Sequence, residues 1–434
     1  MKTEDIRGAA RLASEATQGL ADLVEAMHER IARLPGSPAA LHGRTTGITG
    51  LVYRSIRGVT RLVGGSVDAL LGLLTPALAE ETSGDSSAER EAIVAALNGV
   101  FGDHLAASDN SLAIRMSLRD SAGQSLPLQA QALQQHLPHA GGQVLVLLHG
   151  LCMNHRQWRR EGHDHGAALA EALGFTPIYL HYNSGLHIAD NGAQLAAQLQ
   201  ALHDAWPCPL QRLVLLGHSM GGLVARSAVH GGLQSQHAWV DKLSDLVTLG
   251  TPHQGAPLER LGHGVERILG AAPYAAPLAR LARLRSAGIT DLRHGFVRAE
   301  DAQALAAGQP RQVLPLPRPE RTRSFALAAS TGQPRAEGRG PRGAGRKARP
   351  EALLQADAKA DPQAGLQADV KGRLLGDGLV PLASALGQHA DPALALAFLP
   401  EHQAVVWGTN HMQLLSSLPV QAQLQRWLSG PSRG

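Results

Sequence analysis

A serine at position 219 stands in surroundings that suit a nucleophile. Residues 217–221 read G-H-S-M-G, a G-x-S-x-G pattern centred on Ser219. An apolar segment precedes the pattern and a segment rich in Ala and Val follows it, as a strand-to-helix turn requires. In such a turn the serine takes a strained backbone conformation and its hydroxyl projects above the sheet. We therefore predict that Ser219 is a nucleophile, rather than part of a glycine-rich turn without chemistry.

A second motif could supply hydrogen-bond donors for a negatively charged intermediate. The apolar run Val144 to Leu148 ends in His149-Gly150, a pattern typical of the first half of an oxyanion hole. The expected donors are the backbone N–H groups of Leu151 and Met220, because one follows this strand and the other follows Ser219. For the His149 side chain we favour a role in bracing the loop over a role in proton transfer.

The acid of a nucleophile–base–acid set is predicted to follow Ser219 in the chain and to stand in a turn after a late strand. Asp377 meets both conditions and lies between two glycines, where the backbone is free to point a carboxylate inwards. Asp391 precedes a proline in what reads as a surface turn. Asp245 precedes a strand, at the wrong end of the sheet. Asp377 is therefore the favoured acid.

The base is predicted to follow the last strand. Residues 404–407 read as that strand, and His411 stands in the loop after it. His402 lies before the strand, and His389 lies further upstream. A histidine that removes the serine proton, oriented by a carboxylate, would complete the set Ser219, His411 and Asp377.

These segments, together with L-G-T-P-H-Q-G at residues 249–255 and G-D-G-L-V-P at residues 376–381, resemble the bacterial lipase and esterase family. Within it they are similar to the triacylglycerol-lipase and GPI inositol-deacylase-like group. The resemblance covers residues 108–434. It implies an α/β-hydrolase fold and a function in lipid metabolism, in which carboxylic esters are cleaved through an acyl-enzyme. It implies no metal or organic cofactor.

Two other functions use the same residues differently. An acyltransferase would pass the acyl group to an alcohol or thiol instead of water. An inactive membrane-surface binding protein is disfavoured, because the set of serine, acid and base is complete. A small-molecule or lipid ester is the expected partner, and an apolar cap over the site would favour a medium or long acyl chain.

Short apolar segments that alternate with helical ones must position these residues. Such segments favour a mostly parallel sheet with helices on both faces, an α/β fold. We predict an edge strand at Ser111–Met116, crossover helices at Gln194–Ala205 and Gly222–His230, and a terminal helix from Gln413 to Leu428. The other predicted strands are the apolar segments 144–148, 176–180, 212–216, 246–249, 325–329 and 404–407.

The remaining segments suggest a domain organisation. Residues 1–105 read as a helical N-terminal extension and residues 106–434 as the catalytic domain. That domain is interrupted by a helical cap at residues 258–310 and by an Arg/Gly/Pro-rich insertion at residues 331–370, which we expect to be disordered. An amphipathic helix at residues 48–63 has an arginine-rich face. We expect it to pack on the catalytic domain, with peripheral membrane contact as the alternative.

Composition excludes several other classes. The net charge is +4 and no nucleic-acid-binding motif accompanies it. The two cysteines form neither a disulfide framework nor a zinc motif. The sequence G-H-D-H-G at residues 162–166 suggests a loop that caps the next helix more than a metal site. No leader or membrane-spanning segment is evident, so we expect a cytoplasmic protein.

Overall fold

A computed structural model describes residues 88–256, 286–308, 316, 321–333 and 376–430. The predicted amphipathic helix at residues 48–63 lies outside these ranges. So do most of the predicted cap (residues 258–285, 309 and 310) and nearly all of the Arg/Gly/Pro-rich insertion (residues 334–370).

A seven-stranded sheet organises the described chain, with the strand order β1-β5-β2-β6-β7-β8-β9. Strand β1 runs antiparallel to β5, and the other neighbours are parallel. The predicted fold class is confirmed, and all six predicted apolar strands are present, with β9 at the edge of the sheet. The strands are β1 Ser117–Arg119, β2 Gln143–Leu148, β5 Thr176–His181, β6 Arg212–His218, β7 Leu243–Leu249, β8 Arg323–Ser330 and β9 Gln403–Trp407, with a separate hairpin of β3 Arg159–Arg160 and β4 His163–Asp164.

Helices cover both faces of the sheet. They are α1 Ala88–Ala107, α2 Ala130–His136, α3 His165–Leu173, α4 Ile188–Ala205, α5 Met220–Gln234, α6 Ala287–His294, α7 Ala299–Ala306, α8 Leu382–Ala385 and α9 Leu418–Leu428. Alternate residues of β2 point to opposite faces, as the pleat of a strand requires. Val144 and Val146 pack with α1, α4 and α5, whereas Leu145 and Leu147 pack with α3 and α9. The uninterrupted apolar segment of β2 is thus a strand buried on both faces.

Helix α1 belongs to the core of the sheet domain. Its residues Ile93, Leu97 and Val100 are buried in the same cluster as β2 and α4. The predicted domain boundary between residues 105 and 106 falls inside this helix. The rest of the predicted N-terminal extension, residues 1–87, lies outside the described residues.

The predicted edge strand at Ser111–Met116 is wrong. The edge strand is β1, which begins at Ser117. Side chains take the backbone donors of the predicted segment, since Asn110 Oδ1 accepts from the Leu112 N–H at 3.0 Å and Asn98 Oδ1 accepts from the Ile114 N–H at 2.9 Å. Asparagine side chains that bond to the nearby backbone compete in this way with strand pairing.

The terminal helix begins later than Gln413. Residues Gln413–Leu415 form a 3₁₀ turn, and α9 begins at Leu418. Pro419 suits this boundary, because the first turn of a helix tolerates a residue without a backbone N–H. Among the described helices, none combines the length and the apolar character that crossing a membrane requires.

Candidate active site

Ser219 lies at the sharp turn that joins β6 to α5. Its backbone has φ 55° and ψ −123°, a combination that residues other than glycine rarely adopt. Its N–H donates to the carbonyl oxygen of Leu249 at 2.9 Å, so strand β7 holds the strained turn in place. A strained residue at the carboxyl edge of a parallel sheet is typical of a functional position.

The glycines of the motif allow this turn to close. A Cβ atom added at Gly217 would lie 2.5 Å from the Cα atom of Gly222. One added at Gly221 would collide with the carbonyl oxygens of Leu148 and His149 at the end of β2. The G-x-S-x-G spacing therefore reflects close packing of the turn against itself and against the neighbouring strand.

Asp377 and His411 form a buried hydrogen-bonded pair, with His411 Nδ1 2.6 Å from Asp377 Oδ2. The other carboxylate oxygen, Oδ1, accepts the N–H groups of Leu379 at 2.9 Å and Val380 at 2.8 Å. An ionised carboxylate only accepts hydrogen bonds, so Nδ1 of His411 is the donor in this contact, and in a neutral imidazole Nε2 would then have the lone pair. This is the tautomer that a general base for a serine hydroxyl requires.

Loops from the carboxyl ends of three strands bring the pair to the elbow. Gly376, next to Asp377, accepts at its carbonyl the N–H of Thr331 just after β8, at 3.0 Å. His411 follows β9. Its ring centroid lies 4.7 Å from that of His218, the residue before Ser219. The three predicted residues thus come from β6, β8 and β9, which are at one end of the sheet order.

Gly250, directly after β7, lies against the Asp377–His411 pair. A Cβ atom at this position would be 3.0 Å from Asp377 Oδ2, 3.2 Å from His411 Nδ1 and 2.6 Å from a methyl group of Leu414. Its φ of +57° also favours glycine. The sequence analysis did not single out this residue, although the L-G-T-P-H segment contains it.

Of the predicted donors, Leu151 lies in the loop after β2 and Met220 directly follows Ser219 at the start of α5. Met220 begins α5, so its N–H is one of the free donors at a helix N-terminus. Gly150, before Leu151, comes so close to the elbow that a Cβ there would lie 3.1 Å from Ser219 Cβ. Within the described residues, neither donor N–H has a hydrogen-bond acceptor. The arrangement suits stabilisation of a negatively charged oxygen beside Ser219.

Neighbouring side chains brace the loop after β2. The hydroxyl of Tyr182 donates to the His149 carbonyl oxygen at 2.8 Å, and the two rings stack with centroids 4.3 Å apart. Ser184 Oγ accepts the N–H of Cys152 at 3.0 Å. Burial lowers the pKa of His149 to about 3, so this imidazole is neutral near pH 7, consistent with the predicted bracing role.

The residues considered as alternatives have other partners. Asp391 caps a short 3₁₀ helix by accepting the Ala393 N–H at 2.9 Å, and His389 accepts the N–H of Asp391 at 3.0 Å. His402 packs against the Phe325 ring, with centroids 4.4 Å apart. Asp245 lies inside β7 rather than before it, and binds two arginines near the amino end of the strand.

The polar segment around His163 caps a helix, as predicted. Asp164 Oδ1 accepts the N–H groups of Gly166 at 2.8 Å and Ala167 at 3.1 Å, at the start of α3. His165 Nε2 donates to the carbonyl oxygen of Leu414 at 2.9 Å. Among the described residues, no cluster of three His, Cys, Asp or Glu side chains has the arrangement of a metal site.

His218 is a further residue that the sequence analysis did not assign. It is fully buried and its Nε2 lies 3.0 Å from the carbonyl oxygen of His411. The available signal was a histidine at the end of a mostly apolar strand, directly before the predicted nucleophile.

Comparisons with known proteins find similarity to one family model and to several solved structures. Residues 139–313, which contain Ser219 but neither Asp377 nor His411, match the family model of the PGAP1-like alpha/beta domain. Similar solved structures include the mature form of the Bacillus licheniformis lipase BlEst2, at 18% identity and TM-score 0.39, covering 72% of this chain and 97% of that one. A putative aryl esterase from Burkholderia cenocepacia is 12% identical with TM-score 0.35, over 72% of this chain and 93% of that one.

A thermophilic esterase from Thermogutta terrifontis is 14% identical with TM-score 0.31, over 67% of this chain and 90% of that one. A search of curated proteins by sequence finds no match. The strand order, the elbow after β6 and the family match agree with one another. Residues 139–313 are therefore similar to the PGAP1-like alpha/beta domain, and the described residues have the mostly parallel sheet of an α/β-hydrolase fold.

Proposed function

We propose that this protein is a serine hydrolase that cleaves carboxylic esters through an acyl-enzyme. The observation that carries the proposal is the strained backbone of Ser219 at the carboxyl end of β6, together with the 2.6 Å hydrogen bond between His411 and Asp377. These are the parts that activate a serine hydroxyl, and they occur on a fold that presents them on adjacent loops.

In the proposed reaction, Nε2 of His411 takes the proton of Ser219 while Oγ attacks the acyl carbonyl carbon. Asp377 holds the ring in this tautomer and stabilises its positive charge. The N–H groups of Leu151 and Met220 bind the oxygen that becomes negative. The alcohol leaves with the proton from His411, and water then releases the acid by the same steps in reverse order.

The proposed substrate is a small-molecule or lipid ester with a medium or long acyl chain. The sequence supports this choice through the apolar residues 271–277 of the cap, which lie outside the described residues. We also propose peripheral membrane contact through residues 48–63 as the alternative to packing on the catalytic domain. Flotation of the full chain with liposomes tests that contact, and a chain that remains in the dense fraction excludes it.

Hydrolysis of p-nitrophenyl esters of graded chain length by the parent and by Ser219→Ala tests the proposal. The variant should keep only a low residual rate, about a thousandfold to ten-thousandfold above the uncatalysed reaction in water, since substrate binding and the oxyanion donors remain. Asp391→Asn is the matched control and should keep the parent rate. Equal rates in parent and Ser219→Ala would exclude Ser219 as the nucleophile. A preference for acetyl esters would exclude the proposed chain length.

A further inference from the structure

His218 connects the nucleophile strand to the loop that carries the base. It is the last residue of β6, directly before Ser219, and its side chain is fully buried. Its Nε2 lies 3.0 Å from the backbone carbonyl oxygen of His411. A carbonyl oxygen only accepts hydrogen bonds, so Nε2 carries the proton and donates.

Surrounding groups confine the ring in this orientation. Trp158 meets it edge-on with centroids 6.4 Å apart, and a Cβ at Gly150 would lie 3.4 Å from its Nδ1. Burial, followed by the charge of His411, holds the pKa of His218 well below its usual value. The ring is therefore neutral at working pH, and Nδ1 has no partner among the described residues. Its one strong polar contact is the bond from Nε2.

The bond from His218 adds a constraint that Asp377 alone does not provide. Asp377 fixes the His411 ring through Oδ2 and the His411 N–H through its carbonyl oxygen at 3.1 Å. Both contacts tie His411 to the loop after β8, and neither ties it to Ser219. The bond from His218 reaches the His411 backbone from the residue adjacent to Ser219. It therefore acts on the separation between nucleophile and base.

We propose that His218 is a positioning residue, which sets the separation of His411 from Ser219 by donating its Nε2–H to the His411 carbonyl oxygen. The inference rests on the proposed function, in which His411 is the base. Proton transfer is sensitive to this separation, because a shift of about 1 Å in a reacting group can cost about a hundredfold in rate.

Three substitutions of His218 distinguish the effect of losing the hydrogen bond from the effect of changing the volume of the side chain. His218→Gln places an amide N–H near the position of Nε2, whereas His218→Met has a similar shape without a donor. His218→Asn is polar, but its amide reaches the Nδ1 position instead. We expect kcat to fall about tenfold to a hundredfold in H218M and in H218N, with KM within about twofold, and to recover to within about threefold of the parent in H218Q.

A spectroscopic measurement decides the inference independently of turnover. The His411 Nδ1 proton, held in a 2.6 Å bond to Asp377, should give a low-field proton resonance in the full-length protein. We expect H218Q to keep that resonance and H218M to shift or broaden it. Equal kcat and an unchanged resonance in H218Q and H218M would overturn the inference. Failure of the proposed function would appear differently, as equal rates in the parent and Ser219→Ala.

Discussion

Gly250 contributes to the candidate site by lacking a side chain. Its position after β7 places the backbone against both members of the Asp377–His411 pair. A Cβ atom added here would lie 3.0 Å from Asp377 Oδ2 and 3.2 Å from His411 Nδ1. Those contacts are tighter than ordinary van der Waals separation. A methyl group must therefore move the loop of Leu414, the carboxylate or the imidazole.

We predict that Gly250→Ala lowers kcat by about tenfold to a hundredfold, because displacement of the pair by a fraction of an ångström misaligns His411, the proposed base. The positive φ adds strain of roughly 1–2 kcal/mol. Gly174→Ala is the control, since Gly174 has φ +73° and open space around the missing Cβ. It should lose similar stability in urea unfolding but keep the parent kcat. An active Gly250→Ala with parent kcat would contradict the steric argument.

The two ends of strand β7 make different contacts. Its carboxyl end leads to Gly250 and holds the Ser219 N–H, whereas Asp245 near its amino end binds the guanidinium groups of Arg212 and Arg323 at 2.7 and 2.6 Å. The Asp245 carboxylate is fully buried, and both arginines are largely so. This ion cluster joins β6, β7 and β8 near their amino ends, whereas the candidate site lies at the carboxyl ends of the strands.

We predict that Asp245→Asn lowers the free energy of unfolding by about 3–5 kcal/mol, because it leaves two largely buried cations without their counter-charge. The kcat of the folded fraction should stay at the parent value, since the cluster is remote from Ser219. Urea unfolding and ester hydrolysis measure the two effects. Asp204→Asn, whose side chain is 62% exposed, is the control and should change neither. A folded Asp245→Asn without activity would instead implicate Asp245 in catalysis.

On the scale of the whole molecule, many histidines are buried in neutral form. Burial lowers the pKa of His149 to about 3, of His155 to about 4 and of His181 to about 2. In the unfolded chain each would titrate near the ordinary value of 6.5. Below that pH the unfolded state binds protons that the folded state does not. The buried neutral histidines therefore contribute stability that is fully present above pH 6.5. This contribution is lost as the pH falls towards the pKa values of the folded protein.

We predict that the protein loses about 2 kcal/mol of stability per such histidine between pH 7 and pH 5, because 1.5 pH units correspond to about 2 kcal/mol. Urea unfolding at the two pH values measures this change. His181→Asn does not titrate, so its loss between pH 7 and pH 5 should be smaller by about one histidine's share. The same loss in parent and variant would contradict the assignment.

The sequence determined the parts of this protein that follow from local pattern. Buried strands read as short apolar segments because both faces of a parallel sheet exclude water. The elbow was readable because a sharp strand-to-helix turn needs glycines around Ser219. Where local side-chain bonds compete with the pattern, prediction failed, as at residues 111–116, whose backbone donors bind Asn98 and Asn110.

Only the tertiary structure decided how distant residues meet. Asp377 and His411 were chosen by chain order, but their 2.6 Å contact depends on two loops that converge beside β7. No local sequence pattern predicts the contacts of Gly250 with the Asp377–His411 pair or the contact of His218 with the His411 carbonyl oxygen. The reason is physical: spacing along a chain fixes which face of a strand or helix a residue occupies, whereas contacts between loops depend on the packing of the whole sheet.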